Sequence, residues 1–193
     1  VAERDRRRHV RELASRAERF RPDLTIILKG LMLAKRDIEE LKKYSPWVVN
    51  INHDDFFSSN PNNRSRLQHD AIPAYDHIFV TREANVAEVA PLNKNVEFFP
   101  FAYYPRIHHP TEGDEKTAAE IIFVGTWERE RAALLEALVK KVQAKYGVYG
   151  AQWQRLKRSS PLRPFVRFEE VSGERMASVI GGAKISLGFL RKE

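Results

Sequence analysis

The stretch Ile121-Ile122-Phe123-Val124-Gly125-Thr126-Trp127-Glu128-Arg129-Glu130-Arg131 constrains the fold more than any other. Four apolar residues run into a glycine, then a polar turn, then a long amphipathic run to Tyr146. A short, fully apolar run reads as a strand buried on both faces, as in parallel sheets. The spacing after it is helical, with Leu134, Leu138 and Val142 four residues apart and Leu135, Val139 and Tyr146 beside them. Strand, glycine turn and helix form the first half of a βαβ unit. In open α/β sheets ligands bind at such turns, outside the carboxyl ends of the strands. A helix start offers free N–H groups and partial positive charge to an anion. Arg129 and Arg131 stand in that first turn, where arginine is unfavourable by itself. Two readings stand at this point: a site for a negative group, or a structural turn with solvated arginines.

The same texture recurs along the chain. Val1 to Phe20 reads as a helix with Val10, Leu13, Ala14, Ala17 and Phe20 on one face, stopped by Pro22. Arg4, Arg6, Arg7, Arg8 and Arg11 fill the other faces, interleaved with Glu3, Asp5, Glu12 and Glu18. This makes a solvated face or, as the alternative, a membrane-surface helix. Strands are expected at 24–28, 47–51, 77–80 and 96–99, with helices at 34–44 and 64–71 and a helical turn at 85–90. Prolines 100, 105 and 110 and the polar run Thr111 to Lys116 read as a linker. The alternation then resumes: strand 121–124, helix 129–146, strand 147–149, a basic loop 152–163, strand 166–168, helix 174–180 and strand 184–189. Strands alternating with helices predict parallel, doubly wound sheets. The expected organisation is an α/β protein of two Rossmann-like lobes: residues 1–104, a linker 105–120, and a short, truncated second lobe at 121–193.

Charge sharpens this division. Residues 1–120 carry 19 Lys and Arg against 19 Asp and Glu, whereas residues 121–193 carry 14 against 7. The whole excess of +7 therefore lies in the second lobe. A basic half-molecule suits nucleic acid, an anionic membrane, a phosphorylated small ligand, or simply solubility. Aromatic residues are not interleaved with the basic ones as a nucleic-acid stacking platform requires, so no nucleic acid partner is expected. The chain has no cysteine, which excludes disulfides, thiolate metal sites and cysteine nucleophiles and fits a reducing compartment. No apolar run of 18 residues suggests a membrane span, and Val1 to Arg11 lacks the apolar centre of a secretory signal. A cytoplasmic location follows as an expectation.

Candidate chemistry lies at the carboxyl ends of the expected strands: Lys29-Gly30, Asn52 to Asp55, Thr81-Arg82, Gly125 to Arg131, and Gly150 to Trp153. Polar strand ends facing one way would line a cleft between two lobes. Asp54 and Asp55 supply a candidate base or metal ligand, against the plainer reading of a turn or helix cap. His108-His109 lack other ligands at metal spacing and read as surface residues. Trp127 and Trp153 sit in turns, where each either stacks on a base or sugar ring or plugs an interface. No G-x-S-x-G, Walker A or H-E-x-x-H motif is present.

Seven blocks in order carry a resemblance. They are Pro22-Asp23-Leu24 with Lys29-Gly30; Val48-Val49-Asn50 with Asp54-Asp55; Tyr75 to Arg82; and Phe99 to Tyr103. Phe123 to Trp127 with Arg131, Val148-Tyr149-Gly150 with Trp153, and Ala183 to Leu187 complete the set. From Arg21 onward the chain resembles the CgeB-type (spore maturation) glycosyltransferase-like proteins, relatives of the group 1 glycosyltransferases with the GT-B fold. The resemblance implies a metal-independent hexosyltransferase-like enzyme. No cofactor is implied, only a nucleotide-diphosphate sugar as donor substrate. Gly125, Thr126, Trp127 and Arg131 would approach the donor's diphosphate, Arg131 being favoured over Arg129. Tyr149 and Gly150 would lie near the nucleotide. Lys29, Gly30, Asn52 and Arg82 would face an acceptor of unspecified kind, a glycan, protein or small molecule. Asp54 or Asp55 would act as base if the reaction inverts configuration, and the donor phosphate would serve if it retains it. The family continues into an acidic, glycine-containing segment that holds the donor's ribose and sugar. That segment is not within this sequence, so a fragment, inactive by itself, is expected. The alternative is a non-catalytic two-lobe module that binds a phosphorylated or anionic ligand. Peripheral membrane contact through the first helix stays open, and the oligomeric state is not legible.

Overall fold

The computed structural model describes residues 3–59, 63–113 and 118–189. Val1 and Ala2 of the expected first helix, and Asp114 to Thr117 of the expected linker, lie outside the described residues. The chain divides into two units, one running to Ala102 and the other beginning at Tyr103. Both are α/β with parallel sheets.

The first unit opens with α1 (Glu3–Phe20). Acidic residues in its first turn and Arg19 in its last suit the helix dipole. Arg21 ends it in a left-handed conformation (φ 50°), its N–H returning to the Ala17 carbonyl at 2.8 Å ahead of Pro22. Then follow β1 (Leu24–Leu28), α2 (Lys35–Leu41), β2 (Trp47–Asn52), α3 (Arg66–Ala71), β3 (His77–Val80), α4 (Glu83–Val89) and β4 (Val96–Phe98). Ser65 caps α3, its Oγ accepting from the Gln68 N–H at 3.0 Å.

All four strands are parallel, and their spatial order, β1-β2-β3-β4, is their order in the chain. This corrects the doubly wound expectation for the first lobe. A sheet is doubly wound only where strand order reverses, and here it never does. Right-handed crossovers in one direction put every helix on one face. The core agrees: Ile27, Val48, Ile78 and Val80, from one face of the sheet, pack with Ala17, Ile38, Leu41, Ala71 and Val89 of α1 to α4. The opposite face leaves Leu24, Ile26, Leu28 and Trp47 exposed. One arginine of α1 departs from the solvated reading. Arg6 is buried and pairs with the buried Asp37 at 2.8 Å.

The second unit contains β5 (Ala119–Val124), α5 (Arg129–Lys141), β6 (Tyr146–Tyr149), α6 (Gly173–Gly181) and β7 (Ala183–Leu187). Its sheet is parallel in the order β6-β5-β7. Here the order does reverse, and β5 is covered on both faces as its unbroken apolar run predicts. Phe123 packs with Ala132 and Leu135 of α5, and Ile122 packs with Val179 of α6. Three sequence expectations are corrected. Helix α5 ends at Lys141, because Val142 is already extended and Tyr146 belongs to β6. The Tyr146 hydroxyl donates to the Val142 carbonyl at 2.8 Å, which explains a helix-like spacing across a helix end. The expected strand 166–168 is reduced to a single bridge between Val166 and Val148. Trp153 is neither a stacking platform nor an interface plug but a fully buried core residue.

Residues 103–113 belong to the second unit. The Thr111 carbonyl approaches Gly181 so closely that a Cβ there would lie 2.4 Å from it.

Candidate functional site

The reversal in the second unit brings the carboxyl ends of β5 and β7 side by side, and a parallel α/β sheet binds ligands at such a switch point. The turn after β5, Gly125-Thr126-Trp127, is tightly built. The Gly125 N–H donates to the Tyr149 carbonyl at 2.9 Å, and the Trp127 N–H donates to the Ala151 carbonyl at 2.8 Å. The Trp153 indole N–H donates to the Gly125 carbonyl at 2.9 Å. Gly150 has φ of 127°, and a Cβ on it would lie 2.2 Å from the Gly125 oxygen. The ends of β5 and β6 therefore meet only because residue 150 is glycine. Tyr149 contributes backbone alone, because its side chain is buried against Ile122 and Val179.

Helix α5 starts directly after this turn. Its first intrahelical bond runs from the Ala132 N–H to the Glu128 carbonyl, so the N–H groups of residues 129–131 have no acceptor within the helix. The two arginines there diverge. Arg131 turns inward: its guanidinium donates to the Thr126 carbonyl at 3.2 Å and to the Phe189 carbonyl, just past β7, at 3.5 Å. It also pairs with Glu128 at 3.2 Å. Arg131 thus clamps the two strand ends at the switch point. Arg129 is exposed and lines a 380 Å³ cavity between α5 and the irregular segment after β6. Arg155 and Lys157 reach the same cavity, with Trp127, Ala132, Ala133 and Leu156 as apolar walls. The Arg155 guanidinium lies 4.5 Å from the centroid of the Trp127 ring, a cation–π contact. Trp127 Nε1 is buried without an acceptor among the described residues.

In the first unit the expected residues gather in two pairs at the carboxyl ends of β1, β2 and β3. Lys29 and Gly30 are both left-handed (φ 62° and 79°), and this turn carries the Lys29 ammonium to Asp54. A Cβ on Gly30 would lie 2.9 Å from the Tyr75 hydroxyl. Asp55 accepts from the Phe57 N–H at 2.8 Å and from the Asn85 amide at 2.9 Å, with Arg82 at 3.8 Å. Both carboxylates therefore have partners, Asp54 the more simply. Asn52 is not on the surface: it is fully buried, with neither amide atom partnered among the described residues. Beside it on the same face of β2, the Asn50 amide donates to the carbonyls of Ile27 and Lys29, and Gln68 donates to Lys29 from α3. Burial pushes the Tyr75 phenol well above its ordinary value. Among the described residues no group of three His, Asp or Glu side chains is placed to hold a metal ion. The His108 ring accepts from the Tyr104 N–H at 2.8 Å.

Asn50, Gln68 and Asn85 escape motif reading. The signal for Asn50 is its alternation with Asn52 inside an otherwise apolar strand, polar on the face that should be core. Arg155 and Lys157 are hidden in a basic loop whose only signal is its charge. No family model matches the chain, and no curated protein matches it.

Proposed function

We propose that the chain is a glycosyltransferase of the GT-B type, the second unit holding the nucleoside diphosphate of a sugar donor and the first unit facing the acceptor. One observation carries the reading. A glycine turn and a helix start follow β5, where strand order reverses, and the same helix walls a cation-lined cavity on its side toward the segment after β6, all in the part of the chain that carries its excess positive charge. The block-by-block resemblance to the CgeB-type proteins supplies the donor class. In the transfer, an acceptor hydroxyl oxygen bonds the anomeric carbon while the bond from that carbon to the diphosphate oxygen breaks. The diphosphate leaves with the bonding electron pair. Free N–H groups and cations at the start of α5 stabilise this charge. The hydroxyl proton passes to Asp54 or Asp55 in an inverting reaction, or to the departing phosphate in a retaining one.

Melting curves with UDP, GDP and ADP test the reading. A site saturated one-hundred-fold above its Kd adds about 2.7 kcal/mol to stability. The expected result is stabilisation by one nucleoside diphosphate over the others; its release from the matching sugar nucleotide is lost in Asp54→Asn or Asp55→Asn when the reaction inverts configuration and kept when it retains it. No stabilisation by any of the three contradicts the donor site. A second reading, a binding module without turnover, is favoured by the partners both carboxylates already have. Nucleotide binding with no release of product would select it.

A further inference from the structure

The geometry points to Arg129, Arg155 and Lys157 as the grip on a phosphate-bearing ligand, with the Trp127 ring as the wall against its flat or apolar body. Helix α5 creates the space. Residues 129, 132, 133 and 136 recur at helical spacing on one face, and the two alanines leave room that larger side chains would fill. The 380 Å³ cavity falls in the size range of small-ligand sites. Its walls supply three cations against one carboxylate, and that carboxylate, Glu136, already accepts from the Ser160 hydroxyl at 2.5 Å. Arg129 and Lys157 make no ion pair among the described residues. Cations gathered without counter-charges repel one another, and Arg129 also opposes the helix dipole. An anion relieves both penalties. Arg155 keeps most of its fork available: it lies over the indole and gives one bond, at 3.0 Å, to Gln152. Arg131 has no comparable freedom, because its guanidinium is given to the Thr126 and Phe189 carbonyls and to Glu128.

This assignment rests on the donor reading in one respect, that the phosphate belongs to a nucleoside diphosphate. Calorimetric titration of the full chain with UDP, GDP, ADP and inorganic pyrophosphate tests it. Arg129→Gln, Arg155→Gln and Lys157→Gln alter exposed side chains, and their circular dichroism and melting temperature should match the parent. Each is expected to weaken Kd about tenfold for the nucleotide that binds best, and the triple variant to abolish binding. Unchanged affinity in the triple variant, with the parent binding a nucleotide, overturns the cavity assignment alone. Pyrophosphate binding that the triple variant loses, with no nucleotide bound by the parent, upholds the cavity and overturns the donor reading. No binding of any of the four by the parent overturns both.

Discussion

The indole N–H of Trp153 donates to the carbonyl oxygen of Gly125 at 2.9 Å, joining the segment after β6 to the turn after β5. Trp153 is fully buried and packs edge-on to Phe123. Replacing it with Phe keeps most of the apolar volume and removes the donor. That change is expected to destabilise the chain by about 1–3 kcal/mol, as for an orphaned buried polar group. Trp153→Ala adds a cavity and should cost about 3–5 kcal/mol. Equilibrium urea unfolding followed by far-UV circular dichroism measures both.

Gly150 and Gly173 separate two costs of replacing a glycine. Both have positive φ, 127° and 53°, but a Cβ meets nothing within 4 Å at Gly173 and meets the Gly125 backbone at Gly150. Gly173→Ala should lose about 1–2 kcal/mol from backbone conformation alone. Gly150→Ala carries the steric clash in addition and should lose distinctly more. Melting temperatures of the two variants, measured side by side, give the comparison.

Arg6 and Asp37 form a buried ion pair at 2.8 Å, and the same Asp37 oxygen accepts from the Ala34 N–H ahead of α2. Removing Arg6 leaves the buried Asp37 carboxylate with only the exposed Arg36 at 3.7 Å and the Ala34 N–H. Arg6→Met should therefore destabilise by about 3–5 kcal/mol. The double variant Arg6→Met with Asp37→Asn should be less unstable than the sum of the two single changes. A double-mutant cycle in urea measures the coupling.

Glu3 reports on the same corner. Hydrogen bonds from Arg6 and Arg7 hold its carboxyl down at about 2. A depressed carboxylate favours the folded state above the unfolded value, near 4.3, and that contribution fades as pH falls through about 2. The chain should lose stability between roughly pH 4 and pH 2, and Glu3→Gln should flatten that limb. Because Glu3 is exposed, added salt should shrink the difference. Melting temperature against pH, at low and high salt, checks the sign.

Local structure was legible where apolar runs are short and bounded by turn residues. The strands at Leu24–Leu28 and His77–Val80 have the bounds that the sequence predicts. Strand order was not legible, because side-chain periodicity records which face is buried and not which strand lies alongside. The first sheet therefore reads as doubly wound until the register of β1 to β4 is seen. Burial of Arg6 was hidden for a similar reason. Its partner stands 31 residues away, on α2. At the candidate site the glycine turn and the two arginines were visible. Their opposite directions were not, since the choice between cavity and clamp depends on where the loop bearing Arg155 and Lys157 and the end of β7 fall in space.

Residue-resolved amide and indole NMR shifts, recorded while a nucleoside diphosphate is titrated into the full chain, decide whether the β5–α5 turn holds a diphosphate. Saturable shifts are expected at Thr126, Arg129 and Glu130 and at the unpartnered indole N–H of Trp127. The Trp153 indole, already bonded to Gly125, should move little. Shifts absent from the β5–α5 turn, or confined to the first unit, would contradict it.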